Sequence, residues 1–182
     1  MLDELSLSLT AASYAEVRSP FITNPNKKPG DIDLLLCEGG SPNQAVAVEW
    51  KRVKIRAIDG TERINRLEAL GGAETQTTAL FHLGFCRTYL GVVAITDGRA
   101  NDAQNFIFRG TSDTTYRRII EFAGGLSLPE GVGLVYMEIV QPVQRAISEA
   151  GVLSVAVARE AKHRAQTADL TARVNNYLHR NV

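Results

Sequence analysis

Apolar and polar residues alternate most clearly over 31–37 and 45–57, the period of two that marks strands, and the turn-rich stretch 38–44 between them makes the pair a hairpin. Leucine, alanine and serine spacings over 2–16 predict a modest amphipathic helix, although Ser6, Ser8 and Thr10 alternate with leucines and also suit a strand. Residues 17–23 read as a short strand, followed by a Pro/Asn/Lys loop over 24–30. After Asp59-Gly60, residues 64–70 read as helical, and from Ala73 the apolar or small positions 73, 77, 80, 81 and 84 trace the stripe of a core-facing helix, with Gly71-Gly72 at the junction. Residues 89–96 form a nearly continuous apolar run, as expected of a central strand covered on both faces. Beyond it the pattern predicts a loop over 97–111, a helix over 112–123 capped by Ser112 and ended by Gly124-Gly125, a strand over 133–141, a strand or helix start over 152–158, and a closing helix over 167–180. The opening order of helix, three strands, helix and strand argues for a three-layer α/β (α+β) domain rather than a bundle or sandwich.

Length and composition bound this reading. A chain of 182 residues with 45% hydrophobic content suits one domain spanning 1–182, with a core over about 1–97 and an elaboration over about 98–182. Lysine plus arginine and aspartate plus glutamate number 20 each, so no global charge draws the chain to nucleic acid, and any phosphate-binding surface has to be local. Cys37 and Cys86 stand outside any CxxC pair and beside no histidine at metal-ligand spacing, which argues against a zinc site or disulfide framework and fits a reducing cytoplasm. The start lacks a basic stretch leading into an apolar core, and no run reaches the roughly 18 apolar residues of a membrane helix.

The candidate chemistry sits in Gly30-Asp31-Ile32-Asp33-Leu34-Leu35-Leu36 and Val46-Ala47-Val48-Glu49-Trp50-Lys51. Alternation puts Asp31 and Asp33 on one face of their strand, and Glu49 and Lys51 on one face of theirs. A hairpin turning about Ser41 places Asp33 opposite Glu49 and Asp31 opposite Lys51. The same register sets Ile32 against Trp50, Leu34 against Val48 and Leu36 against Val46 on the other face. A slip of one residue mixes charge with core on both faces, so the pattern itself selects the register that gathers the charges. A solvated hairpin face is the alternative. Leu35, Cys37, Ala45 and Ala47 lie on that same face and argue against it, since a freely exposed face does not turn apolar halfway along. Clustered acids beside a lysine suit a bound cation, which offsets their repulsion.

An aspartate in a Gly-x-x-Asp setting, a hairpin, and then Glu-x-Lys after a short apolar run resemble the PD-(D/E)xK nuclease superfamily, over roughly the first half of the chain. The resemblance implies a restriction-endonuclease-like αβββαβ core, a mixed central sheet flanked by helices, here with extra C-terminal strands and helices. It implies a divalent-metal-dependent nuclease, a hydrolase with Asp33, Glu49 and Lys51 as catalytic residues. Mg²⁺ or Mn²⁺ is then held by Asp33, Glu49 and the backbone carbonyl of Trp50. Those hard ions favour oxygen ligands and keep waters for reaction. Lys51 serves as base or electrostatic stabiliser.

Further residues carry two readings each. Asp31 is an outer or second-metal ligand, or a residue bonding loop amides. Glu16 matches a helical glutamate that some family members add to the site, or is a solvated helix residue. Gln76 stands on the helix after Glu-x-Lys, where some exonuclease branches carry Gln-x-x-x-Tyr, but position 80 is Leu. Lys27, Lys28, Arg52, Lys54 and Arg56 contact phosphates or form an ordinary solvated edge. The leading expectation is an endonuclease acting on DNA, with RNA still open, in restriction, defence, recombination or repair. The resemblance favours a homodimer or a partner protein. The competing expectation is a nucleic-acid or protein binding module that keeps the fold without turnover.

Overall fold

The computed structural model describes residues 1, 4, 5, 7, 8, 10–18, 22, 30–58, 61–97, 111–141 and 151–180. In chain order the strands are β1 (Ala12–Val17), β2 (Ile32–Cys37), β3 (Ala45–Ile58), β4 (Thr61–Asn65), β5 (Arg87–Asp97), β6 (Gly133–Gln141) and β7 (Gly151–Arg159). The helices are α1 (Ala73–Leu83), between β4 and β5, α2 (Asp113–Gly124), between β5 and β6, and α3 (Ala168–Arg180) at the end; a 3₁₀ segment, Leu67–Gly72, leads into α1. All seven strands join one mixed sheet in the order β1-β2-β3-β5-β6-β7, with β4 paired to the far half of β3. β1, β2 and β3 run antiparallel in turn, β5 is parallel to β3, β6 is parallel to β5, and β7 is antiparallel to β6. The chain is thus a mixed α/β fold, and the apolar run over 89–96 is an inner strand, as its pattern predicts.

Alternation along β3 decides which layer covers which face. Its odd positions Ala45, Ala47, Val53 and Ile55 are buried among helices: the first two with Leu80 of α1 and Leu170, Val174 and Leu178 of α3, the last two with Ala73 of α1 and Ile119 and Ala123 of α2. Its even positions Val46 and Val48 pack with Leu5, Leu7, Tyr89, Val135 and Ala161 on the opposite face. The helices themselves follow local rules. Leu170, Val174 and Leu178 recur every fourth residue, Gly84 at φ 99° ends α1 in the left-handed region, and Ser112 caps α2 by accepting the Thr115 N–H at 3.3 Å.

Two expectations are corrected. The helix expected over 2–16 is absent over Ala12–Val17, which form β1, and the strand expected over 17–23 ends at Val17 as far as the described residues go. Ala12 lies opposite Cys37 and Val17 opposite Ile32, so pairing with β2 outweighs the weak helical propensity of this Ala/Ser/Tyr stretch. The helix expected over 64–70 is instead the end of β4 followed by the 3₁₀ segment, with Arg66 at φ 63° between them. Only residues 59 and 60, Asp and Gly, separate the paired Ile58 and Thr61, which is the spacing of a two-residue hairpin loop.

One close approach fixes the back of the site. Trp50 lies level with Gly91 of β5, and a Cβ built there would fall inside the van der Waals envelope of Trp50 Cε3 and Cζ3. Gly91→Ala should therefore lower stability by about 1–3 kcal/mol, the usual cost of overpacking, when followed by denaturant unfolding. Trp50→Leu in the same chain should recover part of the loss; a Gly91→Ala protein as stable as the parent would mean the ring is not held there.

Candidate active site

β3 is longer than either strand on its outer side. β2 pairs with it from Leu34 opposite Val48 to Cys37 opposite Ala45, which is the predicted register. Lys54 and Ile55 pair with β4 and β5 at once, so β4 lies on β2's side and begins only at Lys54 opposite Asn65. Among the described residues, 49–53 are left with β5 on one side and no paired strand on the other. The site is in this gap.

The side chain of Asp33 fills the first missing place in the ladder. Its Oδ2 accepts the Trp50 backbone N–H at 2.7 Å, a charge-assisted bond where a main-chain carbonyl would otherwise serve. The β2 backbone leaves β3 here, and Ile32 packs under α3 while Trp50 packs on the opposite face, so neither the expected Asp33–Glu49 pair nor the expected Ile32–Trp50 pair forms in the ladder. In an extended strand a residue's N–H and C=O point to the same side, so the Trp50 carbonyl opens into the same gap as Asp33.

Glu49 is 1% exposed, between the two helix-packed clusters. Lys51 Nζ donates to Glu49 Oε1 at 2.6 Å and to Gln76 Oε1 of α1 at 2.8 Å. Glu49 Oε2 is buried with no hydrogen-bond partner among the described residues, and so is the hydroxyl of Thr77, the next residue on α1. Burial pushes the Glu49 carboxyl above the ordinary glutamate range, the Lys51 hydrogen bond opposes this, and repulsion from Asp33 adds to it.

This donor set fits a hard divalent cation. Two carboxylates and a backbone carbonyl supply oxygen ligands, and the orphaned Glu49 Oε2 is a buried acceptor that a cation would satisfy. Among the described residues no cluster of three or more His, Cys, Asp or Glu is present, so the carbonyl and waters would complete the sphere.

Asp33, Glu49, Lys51 and Gln76 are brought together; other expected site residues are not. Asp31 is exposed just before β2, outside the paired register, and so does not face Lys51 across a ladder. Glu16 is a correction: it lies on β1 rather than a helix, at φ 48°, with an exposed carboxylate 3.7 Å from Arg18. Its left-handed backbone breaks the strand between Ala15 and Val17, and its charge remains in water. Lys27 and Lys28 fall outside the described residues. Arg52, Lys54 and Arg56 occupy even positions of β3, on the face opposite Glu49 and Lys51, so the row does not continue the site. Thr77 was read only as a stripe residue, and its place next to Gln76 was the available signal. No described helix is long and apolar enough to cross a membrane.

No protein-family model and no curated protein matches the chain. Among solved structures it is similar to the SPO1766 protein of unknown function from Silicibacter pomeroyi, at 11% identity and a TM-score of 0.43, over 94% of this chain and 74% of that one. A likeness this remote carries no argument about family or activity.

Glu49 sets a pH dependence. Its carboxyl holds a proton to higher pH folded than unfolded, so across that window the folded state binds more protons and metal-free stability falls as pH rises. A dication competes with that proton, so the thermal stabilisation by Mn²⁺ should grow as pH rises through the same window and be abolished in Glu49→Gln. A Mn²⁺ shift that ignores pH, or survives the substitution, would place the cation elsewhere.

Proposed function

We propose that the protein is a divalent-metal-dependent nuclease that hydrolyses phosphodiester bonds of DNA, with Asp33, Glu49 and Lys51 as its catalytic residues and a restriction-endonuclease-like core. The observation that carries this reading is the convergence of Asp33, Glu49, Lys51 and Gln76 on the gap in β3, with one glutamate oxygen buried and unpartnered. The path from β1, β2 and β3, antiparallel in turn, through β4 and α1 to β5, parallel to β3, supports the core assignment, although β4 is an insertion in that order and residues 12–17 form the first of its strands where a helix was expected.

Asp33, Glu49 and the Trp50 carbonyl would hold Mg²⁺ or Mn²⁺. When bound, the ion polarises the phosphoryl oxygen and lowers the pKa of its water. Glu49 and Gln76 accept two of the three N–H bonds of the Lys51 ammonium, which leaves the third to meet a scissile phosphate or the attacking water at the mouth of the gap. Lys51 is 24% exposed while Glu49 is 1% exposed, so the lysine is the member of the pair that a substrate reaches. Gln76 is a positioning residue, acting through Lys51. The geometry suits electrostatic stabilisation by Lys51, because Glu49 and Gln76 both use it as a donor and hold its Nζ in place.

The competing reading is a binding module in which Glu49–Lys51 only staples β3 to α1. The ion pair favours it, since it already satisfies one oxygen of Glu49. Plasmid, linear duplex, single-stranded DNA and RNA incubated with Mg²⁺, Mn²⁺ or EDTA decide between the two. Metal-dependent cutting is expected, reduced about 10²–10⁴-fold in Lys51→Ala and Glu49→Gln. Gln76→Ala should cost about 10–100-fold, as loss of an outer partner does. A folded parent protein inactive on every substrate and metal would leave the binding module.

A further inference from the structure

The even positions of β3 carry different chemistry from the odd ones. After Trp50 they are Arg52, Lys54 and Arg56, and β4 places Arg63 directly opposite Arg56. Arg52, Arg56 and Arg63 are exposed and Lys54 is half-buried, and none of the four has an ion-pair partner among the described residues. Glu62, the acid beside Arg63, is taken up by the backbone N–H and hydroxyl of Ser112 at the start of α2. Like charges directly opposite on paired strands repel, and in a chain of zero net charge a row of four cations with no ion-pair partner among the described residues marks a place for an external polyanion. Along β3 the cations recur about every 6.6 Å, two strand residues apart.

The same face continues as an apolar strip. Arg52 is level with Val93 and then Met137, and Lys54 with Ile95 and then Ile139; all four of these apolar residues are half-exposed. Leu5, Leu7 and Ala161 cover the other end of this face, over Val46, Val48 and Tyr89. Trp50 stands at the boundary, half-exposed, with its indole laid over Gly91.

We propose that this face is a binding platform for single-stranded nucleic acid, with phosphates along Arg52, Lys54, Arg56 and Arg63 and bases on Trp50 and the strip of β5 and β6. A duplex hides its base faces and has no use for an apolar strip beside the cations, whereas an unstacked strand uses both. The platform is on the opposite side of β3 from Glu49 and does not depend on cleavage there, so it stands or falls separately from the nuclease reading.

Trp50 is the chain's one tryptophan, so its fluorescence reports on this face alone. Titration in EDTA with an oligothymidylate of about 12 nucleotides should quench it saturably, more strongly than a duplex of equal length or a sulfated polysaccharide. The plot of log affinity against log salt should have a slope of about −3, as for four phosphate contacts by a single strand. R56Q/R63Q, changed only at exposed positions, should halve that slope and weaken binding at least tenfold, with thermal unfolding showing that the fold is kept. Trp50→Phe, followed by anisotropy of labelled oligonucleotide, should keep the slope while weakening binding. Absence of quenching, quenching indifferent to R56Q/R63Q, or equal binding of duplex or polysaccharide would each overturn the platform.

Discussion

A strand interior cannot leave its backbone unpaired without compensation, and β3 meets this constraint along most of its length by taking β2 and then β4 on one side and β5 on the other. Residues 49–53 are the interval that neither β2 nor β4 reaches. Asp33 satisfies one donor there with a carboxylate, which puts a negative charge where a neutral carbonyl would do for stability alone. The gap therefore fixes the position of Asp33, the opening of the Trp50 carbonyl and the access to Lys51. Continued pairing of β2 along 49–53 would heal the ladder and close the site.

Burying Glu49 is the costly part of this arrangement. A carboxylate on the helix-covered face loses its hydration, and Lys51, itself held by Gln76 Oε1, restores a hydrogen bond to only one of its oxygens. Ala47 on one side and Val53 on the other show what the same face holds where no chemistry is needed. An apolar residue at 49 would extend the packing of α1 without the desolvation cost. Retaining an acid with an unmet acceptor is the kind of local inconsistency that marks a functional position, since stability offers no reason for it.

Much of this was legible in the sequence because β2 and β3 read as alternating strands with one register that separates charge from core. That register is observed at four successive pairs, and the stripe of α1 at Ala73, Thr77 and Leu80 is buried as its spacing implies. Where reading failed, short segments were decided by tertiary pairing. Ala12–Val17 has no strong propensity of its own and becomes a strand because β2 offers an edge. Thr61–Asn65 was overlooked because Ile64, Leu67 and Leu70 fall at helical spacing, although Asp59-Gly60 between alternating runs was a hairpin signal. Arg63 was missed with it. Asp33 replacing a ladder bond was beyond sequence reasoning, because it depends on where two backbones part.

The parity of β3 has the widest consequence. Glu49 and Lys51 are odd; Trp50, Arg52, Lys54 and Arg56 are even, so a row contiguous in sequence is divided between two faces of one sheet. Anywhere between paired strands those faces would be sealed from each other by β2 or β4. Among the described residues they communicate across 49–53, where no strand pairs with the outer edge of β3. A polynucleotide held along Arg52 and Arg56 would therefore reach Lys51 by passing round that edge, at Trp50. The path is short because Trp50 and Lys51 are adjacent, but the chain must turn sharply there. A flexible single strand can make such a turn, whereas a duplex, with a persistence length of about 50 nm, resists it. The break in pairing that would admit a metal ligand set would thus also select for the form of nucleic acid that the basic face would bind.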